Sequence, residues 1–194
     1  MLRWLNTIGW LACVVYSTIP AFWLVIHTCI DYWRSRRGLP YSLIVPGWIV
    51  AWVAVALVTS PWRGVMLYRM SWMWAPAIGL FALGFWLYRK AGVNFGKHQL
   101  YGLSELKAGD AEQRLVTTGI RARVRHPVYL AHLCEMLAWS VGTGLAVCYL
   151  LTAFAVLSGA VMIRKEDEEL ERRFGKEYRR YRESVPAVIP GWRR

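Results

Sequence analysis

The sequence predicts an all-α integral membrane protein with about five transmembrane helices. Three observations support this fold class. Of the 194 residues, 56% are hydrophobic and only 19% are charged, against roughly a quarter in soluble domains. Five long apolar stretches recur along the chain, and twelve Trp and ten Tyr supply the amphipathic aromatics that collect at membrane interfaces. Charge is also distributed unevenly between the connecting segments.

The first three apolar stretches cover residues 5–30, 43–58 and 72–88, with a kink expected at Pro20. The first is too long for a normal signal-peptide core, which favours a retained anchor over a cleaved leader. A further apolar run, residues 128–163, is too long for one crossing of a hydrocarbon core about 30 Å thick. We therefore expect Gly142-Thr143-Gly144 to divide it into a helical hairpin with arms at 128–141 and 145–163, of which the first is short for a span.

Domain organisation follows from these spans. Residues 1–88 are predicted to form three N-terminal transmembrane helices. Residues 89–194 are predicted to add a cytoplasmic loop, the hairpin and an amphipathic C-terminal helix, which together carry the functional site in one structural domain.

The distribution of basic residues predicts the orientation. With five spans, 21 of the 24 Lys and Arg lie on one side, and only Arg3, Arg63 and Arg69 lie on the other. The positive-inside rule places the basic side, with the C-terminus, in the cytoplasm and the N-terminus outside. We expect a multi-pass protein of a bacterial or archaeal inner membrane. The charge of +12 then indicates contact with anionic lipid rather than nucleic acid.

Two segments flanking the hairpin carry most of the candidate chemistry. In the first, Pro127 suits the first turn of a helix, which places Arg125 and His126 beside backbone donors suited to an anion. The alternative is that Arg121, Arg123 and Arg125 form only a membrane-anchoring basic cluster.

The second segment, which we call the tail, covers residues 164–190. One face of its predicted helix carries an apolar stripe formed by Leu170, Phe174, Tyr178, Tyr181 and Val185. Glu166 and Asp167 fall at its edges and are candidates for holding a cationic or hydroxyl-bearing group, because an unpaired buried charge is costly. Their alternative is an ion pair with Arg164 or the loop arginines. Glu168 and Glu169 point away and are interpreted as a solvated face.

Ionisable residues inside a span are functional candidates by default. His132 and Glu135 lie three positions apart in the first arm of the hairpin, where they are helix neighbours. They either contact a substrate or hydrogen-bond to each other and tie helices together. His27, alone in the first span, is interpreted as a packed polar residue. The four cysteines lie in apolar spans without metal-ligand spacing, so we expect neither disulfide nor metal site.

Two ordered motifs resemble those of the isoprenylcysteine carboxyl methyltransferase family, whose broader group includes the phospholipid N-methyltransferases. The first is Arg125-His126-Pro127-x-Tyr129, preceded by Leu115-Val116-Thr117-Thr118-Gly119. The second is Glu166-Asp167-x-x-Leu170-x-x-x-Phe174-Gly175-x-x-Tyr178-x-x-Tyr181-x-x-x-Val185-Pro186-x-x-Ile189-Pro190. The likeness covers about residues 113–190; the first three spans match only in being hydrophobic.

The resemblance implies S-adenosylmethionine as methyl donor. By position it assigns donor binding to Gln113, Arg114, Leu115 and Val116, to His126, Pro127, Val128 and Tyr129, and to Glu166; we add Asp167. Two positions depart from the family. Arg121 stands where the family often has Tyr, and we keep it as a donor-site candidate. Met162 stands where the carboxyl methyltransferases place the Arg that holds the substrate carboxylate. Candidates for a catalytic role are His132, Glu135 and Arg125.

The leading hypothesis is therefore methyl transfer from S-adenosylmethionine to a lipophilic acceptor that enters from the bilayer. The missing Arg weakens the prenylcysteine-carboxylate reading of the acceptor. Two alternatives remain at the level of sequence. One is an NADPH-dependent enzyme resembling the sterol reductases, which have a similar tail. The other is a membrane scaffold without catalytic activity.

Overall fold

The computed structural model describes residues 3–29, 32, 39–93 and 115–191. These residues form six α-helices, and the part of the chain so described contains no strand beyond one isolated bridge. The predicted all-α class is confirmed. The helices are α1 (Arg3–Thr28), α2 (Leu39–Thr59), α3 (Trp74–Gly92), α4 (Pro127–Thr143), α5 (Ala146–Phe174) and α6 (Lys176–Ser184).

Four helical segments are long and apolar enough to cross a membrane: Arg3–Thr28, Ser42–Trp62, Ser71–Gly92 and Ala146–Phe174. The remaining candidate span, α4, has 17 residues and rises roughly 26 Å, somewhat less than the hydrocarbon thickness. It lies between α3 and α5 in the bundle, so neighbouring helices rather than lipid cover much of its surface. The chain is an integral membrane protein.

The hairpin forms where the sequence predicted it. Gly144 adopts a left-handed conformation with φ 67° and closes α4 by donating its N–H to the Ser140 carbonyl at 2.9 Å. A Cβ at Gly144 would lie 2.5 Å from the Tyr68 carbonyl oxygen. Glycine is required here for both reasons, since it alone tolerates this φ without penalty and leaves room for the approaching loop.

The tail forms two helices rather than one. The helix that leaves the hairpin continues without interruption to Phe174, and Gly175, with φ 58°, then separates α5 from α6. The predicted stripe nevertheless packs as one cluster, because the turn returns α6 to the same side. Its members are Tyr178, Tyr181 and Val185, with Leu115, Leu170 and Phe174 packed against them.

The main core lies where α1, α4 and α5 meet, and comprises Trp10, Cys13, Val14, Met136, Leu145, Val147, Cys148 and Leu151. A second cluster joins α3 to α4 through Leu87, Ala131 and Cys134. Because α4 and α5 run antiparallel from the turn at Gly144, the first residue of α4 and the fourth to sixth turns of α5 lie at the same end of the bundle. The hairpin thus brings the two predicted motifs together.

Candidate functional site

A buried ionic cluster lies between the start of α4 and the middle of α5. His126 Nε2 lies 3.1 Å from Asp167 Oδ1, and His126 Nδ1 lies 3.2 Å from Glu166 Oε2. Arg125 donates to Asp167 Oδ2 at 2.9 Å, and the Tyr178 hydroxyl donates to Asp167 Oδ1 at 2.5 Å. All five residues belong to the two motifs, which the sequence places some forty positions apart.

His126 is the electrostatic centre of this cluster. Burial alone lowers the pKa of an imidazole, but the carboxylates of Glu166 and Asp167 outweigh it and raise the pKa of His126 to about 9. The ring is therefore an imidazolium at neutral pH, held by two acids. Burial and the neighbouring Asp167 carboxylate raise the pKa of the Tyr178 hydroxyl, which keeps it a hydrogen-bond donor.

The end of the tail closes over the start of α4. The backbone N–H groups of Arg125 and His126 donate to the carbonyls of Pro186 and Ala187, each at 2.9 Å. The Tyr181 hydroxyl donates to the Arg121 carbonyl at 2.7 Å. The tail therefore occupies the backbone N–H groups of Arg125 and His126 themselves, and an anion beside the first backbone donors of α4 stays a prediction.

Two polar atoms in this cluster are buried and have no hydrogen-bond partner among the described residues. They are Glu166 Oε2, an acceptor whose contact is the ion pair with His126, and Arg125 Nε, a donor. Buried polar atoms are ordinarily satisfied. One acceptor and one donor without hydrogen-bond partners in the same cluster match the ammonium and carboxylate groups of an amino acid.

A second polar group lies deeper along α4. The His132 ring is surrounded by the rings of Tyr16 (5.2 Å between centroids), Tyr88 (5.3 Å) and Tyr129 (6.4 Å). His132 Nδ1 is buried without a hydrogen-bond partner among the described residues. The Glu135 carboxylate accepts a short hydrogen bond from the Tyr16 hydroxyl. His132 and Glu135 therefore do not hydrogen-bond to each other, which was one of the two alternatives for this pair.

Residues 72–177 match the model of the phospholipid methyltransferase family. This segment holds α3, the hairpin, the whole first motif and the beginning of the second, and it makes up more than half of the chain. The chain belongs to the phospholipid methyltransferase family.

Curated relatives are protein-S-isoprenylcysteine O-methyltransferases. The mouse protein is 24% identical over 200 residues, covering 95% of this chain and 65% of that protein. Two Arabidopsis thaliana proteins match over shorter regions. The B protein is 35% identical over 86 residues, 42% of each chain, and the A protein is 40% identical over 81 residues, 39% of each. The chain thus spans slightly less than two-thirds of the length of its mouse relative.

For this phospholipid methyltransferase family member, the remaining sequence-predicted residues line the same end of the hairpin. Leu115 packs on the tail cluster, Val116 and Val128 are half-buried, and Pro127 is fully buried. Tyr129 stacks near His126 at 5.7 Å and donates its hydroxyl to Met162 Sδ at 3.2 Å. Gln113 and Arg114 lie outside the described residues.

Arg121 contributes to the site by holding it together. Its side chain is buried and donates from one terminal nitrogen to the Ala91 carbonyl at the end of α3, at 2.9 Å. Burial lowers the pKa of this guanidinium, and the nearby Glu166 carboxylate opposes that shift. This contact ties α3 to the loop that precedes α4.

Glu169 was misjudged from the sequence. It is 4% exposed, lies 3.0 Å from His27 Nδ1 and forms a short ion pair with Arg173. The predicted solvated face is wrong for Glu169, because α1 packs along α5 and covers it; Glu168 is exposed as expected. His27 is a packed polar residue, as predicted, and its partner is this acid. Arg164 is also exposed, and the arginines that pair with Asp167 are Arg125 at 2.9 Å and Arg182 at 3.8 Å.

Sequence reasoning missed the tyrosines of the second polar group. Tyr16 and Tyr88 belong to α1 and α3, and no spacing relates them to Glu135 or His132 in α4. Tyr in an apolar span is also common at membrane interfaces, so its presence alone carries little information. The sequence feature that could have predicted them is Glu135 itself, because a carboxyl group inside a span needs a hydrogen-bond partner from another helix.

Proposed function

We propose that this chain is an S-adenosylmethionine-dependent methyltransferase that acts on a lipophilic acceptor in the membrane. The observation that carries the proposal is the pair of buried atoms without a hydrogen-bond partner, Glu166 Oε2 and Arg125 Nε, within the motif cluster. Family membership independently supports methyl transfer. The names of the mouse and Arabidopsis relatives support an acceptor with an isoprenoid or otherwise lipophilic part.

The residues of the cluster fit the polar groups of this donor. Glu166 accepts from its ammonium or from a ribose hydroxyl, and Arg125 donates from Nε to its carboxylate. His126 holds Glu166 in place, while Asp167 positions Arg125, His126 and Tyr178, which already use both of its oxygens. Tyr129 offers an aromatic face suited to a sulfonium. Gln113 and Arg114, with Leu115, Val116, Pro127 and Val128, are proposed to complete the site.

When bound, S-adenosylmethionine supplies a methyl group activated by its sulfonium. The protein's task is then largely to position the acceptor and exclude water. His126, Tyr129 and His132 form a row of rings at three-residue intervals along α4, rising roughly 9 Å from the ionic cluster into the span. This row connects the donor site to the deeper polar group, where we place the reacting end of the acceptor.

The acceptor we propose is an amine, a thiol or a neutral hydrogen-bond donor rather than a prenylcysteine carboxylate. Met162, at the position of the family's carboxylate-binding Arg, is fully buried and accepts the Tyr129 hydroxyl, so no cation stands there. Glu135 instead presents a carboxyl group, and His132 Nδ1 is free to contact the methyl-accepting substrate. Both groups suit a ligand that donates protons.

The NADPH-dependent alternative is less well supported. Arg121 and Arg125, which a dinucleotide phosphate would need, each already donate from a terminal nitrogen, to the Ala91 carbonyl and to Asp167. The acids Glu166 and Asp167 would also repel a polyanion. We further propose that the ionic cluster faces the cytoplasm, since it adjoins the strongly basic loop and tail.

Calorimetric titration of the purified protein with S-adenosylmethionine and with NADPH tests the donor. We expect the first to bind and the second not to bind. Glu166→Ala should weaken donor binding at least tenfold, which corresponds to about 1.4 kcal/mol. Glu168→Ala, which removes an exposed acid two positions away, is the matched control and should leave the affinity unchanged. Equal affinity in the wild type and Glu166→Ala would remove Glu166 from the site.

The acceptor is tested with two panels, prenylcysteine analogues and lipophilic amines or thiols, by following transfer of labelled methyl. We expect amine or thiol methylation that falls at least tenfold in Glu135→Gln while donor affinity is retained. Strong activity on prenylcysteine that ignores the Glu135 change would refute this acceptor class without affecting the donor assignment.

A further inference from the structure

A cavity of about 810 Å³ lies at the end of the bundle opposite the ionic cluster. It is bounded by the first turn of α1, the segment between α2 and α3, and the hairpin turn at Gly142 and Thr143. Along α4 the two ends are separated by roughly 24 Å. Its basic lining residues are Arg3, Arg63 and Arg69, the same three that stand apart from the other 21 in the sequence.

These three arginines converge on one cavity without a balancing acid. None of them forms an ion pair with any described residue, and the cavity lining contains no carboxylate. The sequence before Glu105 contains a single acid, Asp31, which follows the opposite end of α1. Like charges gathered in one place repel each other, and a bound anion removes that cost. Arg63 also lies over the Trp10 ring at 5.6 Å, which fixes one guanidinium.

The backbone that carries Arg63 and Arg69 is anchored to the hairpin. Leu67 donates its N–H to the Gly144 carbonyl at 2.8 Å, and Ala146 donates to the Val65 carbonyl at 3.0 Å. Between them, the Tyr68 hydroxyl lies 3.0 Å from the Val141 carbonyl and 2.5 Å from the Tyr149 hydroxyl. The cavity therefore has a fixed floor, and Asn6 and Ser71 add uncharged polar side chains to its lining.

The surroundings of the cavity are those of a membrane interface. Trp62 and Trp72, on either side of the lining segment, are 53% and 65% exposed, and Trp74 lies in the cavity wall. Exposed tryptophans collect at the level of lipid headgroups. An anion that meets the cavity at this depth is most readily the headgroup of a lipid, whose acyl chains then run along the apolar outside of the bundle.

We propose that Arg3, Arg63 and Arg69 form a binding site for the phosphate of an anionic phospholipid. Arginine suits this role because its planar guanidinium donates two parallel hydrogen bonds to a phosphate. The site is distinct from the methyl-donor cluster and does not depend on it. Its occupation would fix the segment between α2 and α3 on the hairpin turn.

The experiment is thermal unfolding of the full chain in a neutral detergent, with added phosphatidylglycerol or phosphatidylcholine. We expect phosphatidylglycerol to raise the wild-type Tm by roughly 5 °C or more near saturation and phosphatidylcholine to leave it unchanged. The triple variant Arg3→Gln, Arg63→Gln, Arg69→Gln should lose at least half of this shift. The triple Arg164→Gln, Lys176→Gln, Arg180→Gln removes equal charge from the opposite end and should keep it.

Inorganic phosphate distinguishes the source of the anion. If it stabilises the wild type as phosphatidylglycerol does, and not the cavity variant, the arginine site stands but serves a soluble phosphate. Equal lipid stabilisation of the wild type and the cavity variant would overturn the proposal. Should the triple variant not fold, native mass spectrometry of the wild type and Arg69→Gln provides the readout. Undiminished retention of phosphatidylglycerol by Arg69→Gln would then count against the site.

Discussion

Asp167 shows how a single buried carboxylate organises the motif cluster. It is 4% exposed and is bound by Arg125, His126 and the Tyr178 hydroxyl. A buried acid with fewer partners would be costly, so the two sequence motifs stabilise each other through this one side chain. This contact alone gives a structural reason for the joint presence of the two motifs in the sequence.

At this scale we expect Tyr178→Phe to destabilise the protein by about 1.5–3 kcal/mol, because its hydroxyl binds a charged acceptor. Tyr181→Phe is the matched comparison, since its hydroxyl binds the neutral Arg121 carbonyl, and should cost about 0.5–1.5 kcal/mol. Denaturant unfolding in detergent measures both. A loss in Tyr181→Phe as large as that in Tyr178→Phe would show that the Asp167 contact is not specially strong.

The raised pKa of His126 predicts a pH dependence of stability. Its folded pKa of about 9 exceeds the ordinary value of about 6.5, so folding takes up a proton. The stabilisation is complete below pH 6.5 and is lost as pH rises through 9. We expect the difference in Tm between the wild type and His126→Gln to shrink over this window. A difference that stays constant from pH 6 to pH 9.5 would contradict the assignment of the imidazolium.

At the scale of elements, α3 packs against α4 through a small residue. A Cβ at Gly84 would lie 3.0 Å from Glu135 Cγ and 3.2 Å from the Ala131 carbonyl, while one at Gly79 in the same helix would meet nothing within 4 Å. We expect Gly84→Ala to lower Tm by several degrees and Gly79→Ala to leave it unchanged or raise it, since alanine favours the helix. Equal effects of the two substitutions would indicate that α3 tolerates displacement from α4.

Some elements were readable from the sequence because a local rule decides them. The hairpin turn is one, since a 36-residue apolar run must break and Gly142-Thr143-Gly144 is the place where it can. Glu166 was another, selected both by its position on a helical wheel and by its motif. The course of α5 past the membrane boundary and the burial of Glu169 were not readable, because the packing of α1 on α5 decides them. Nor were Tyr16 and Tyr88 beside His132, because they come from α1 and α3.

The whole molecule is polarised between its two ends. Among the residues that the structure describes, one end carries the ionic cluster, the tail and most of the Lys and Arg. The other carries the arginine cavity, where acids are absent from the lining. The hairpin contributes to both ends. The two motifs meet at its open end, and the segment between α2 and α3 hydrogen-bonds to its turn.

This polarity predicts the topology. If α4 spans together with the four longer helices, the termini lie on opposite sides, and the 21-to-3 partition of Lys and Arg places the C-terminus in the cytoplasm. Paired fusions of alkaline phosphatase and a green fluorescent protein to each terminus should report an external N-terminus and a cytoplasmic C-terminus. Replacing Arg3, Arg63 and Arg69 by Gln should leave this result unchanged, because the basic side already dominates. Both termini reporting from the same side would show that the 17-residue α4 does not cross the membrane.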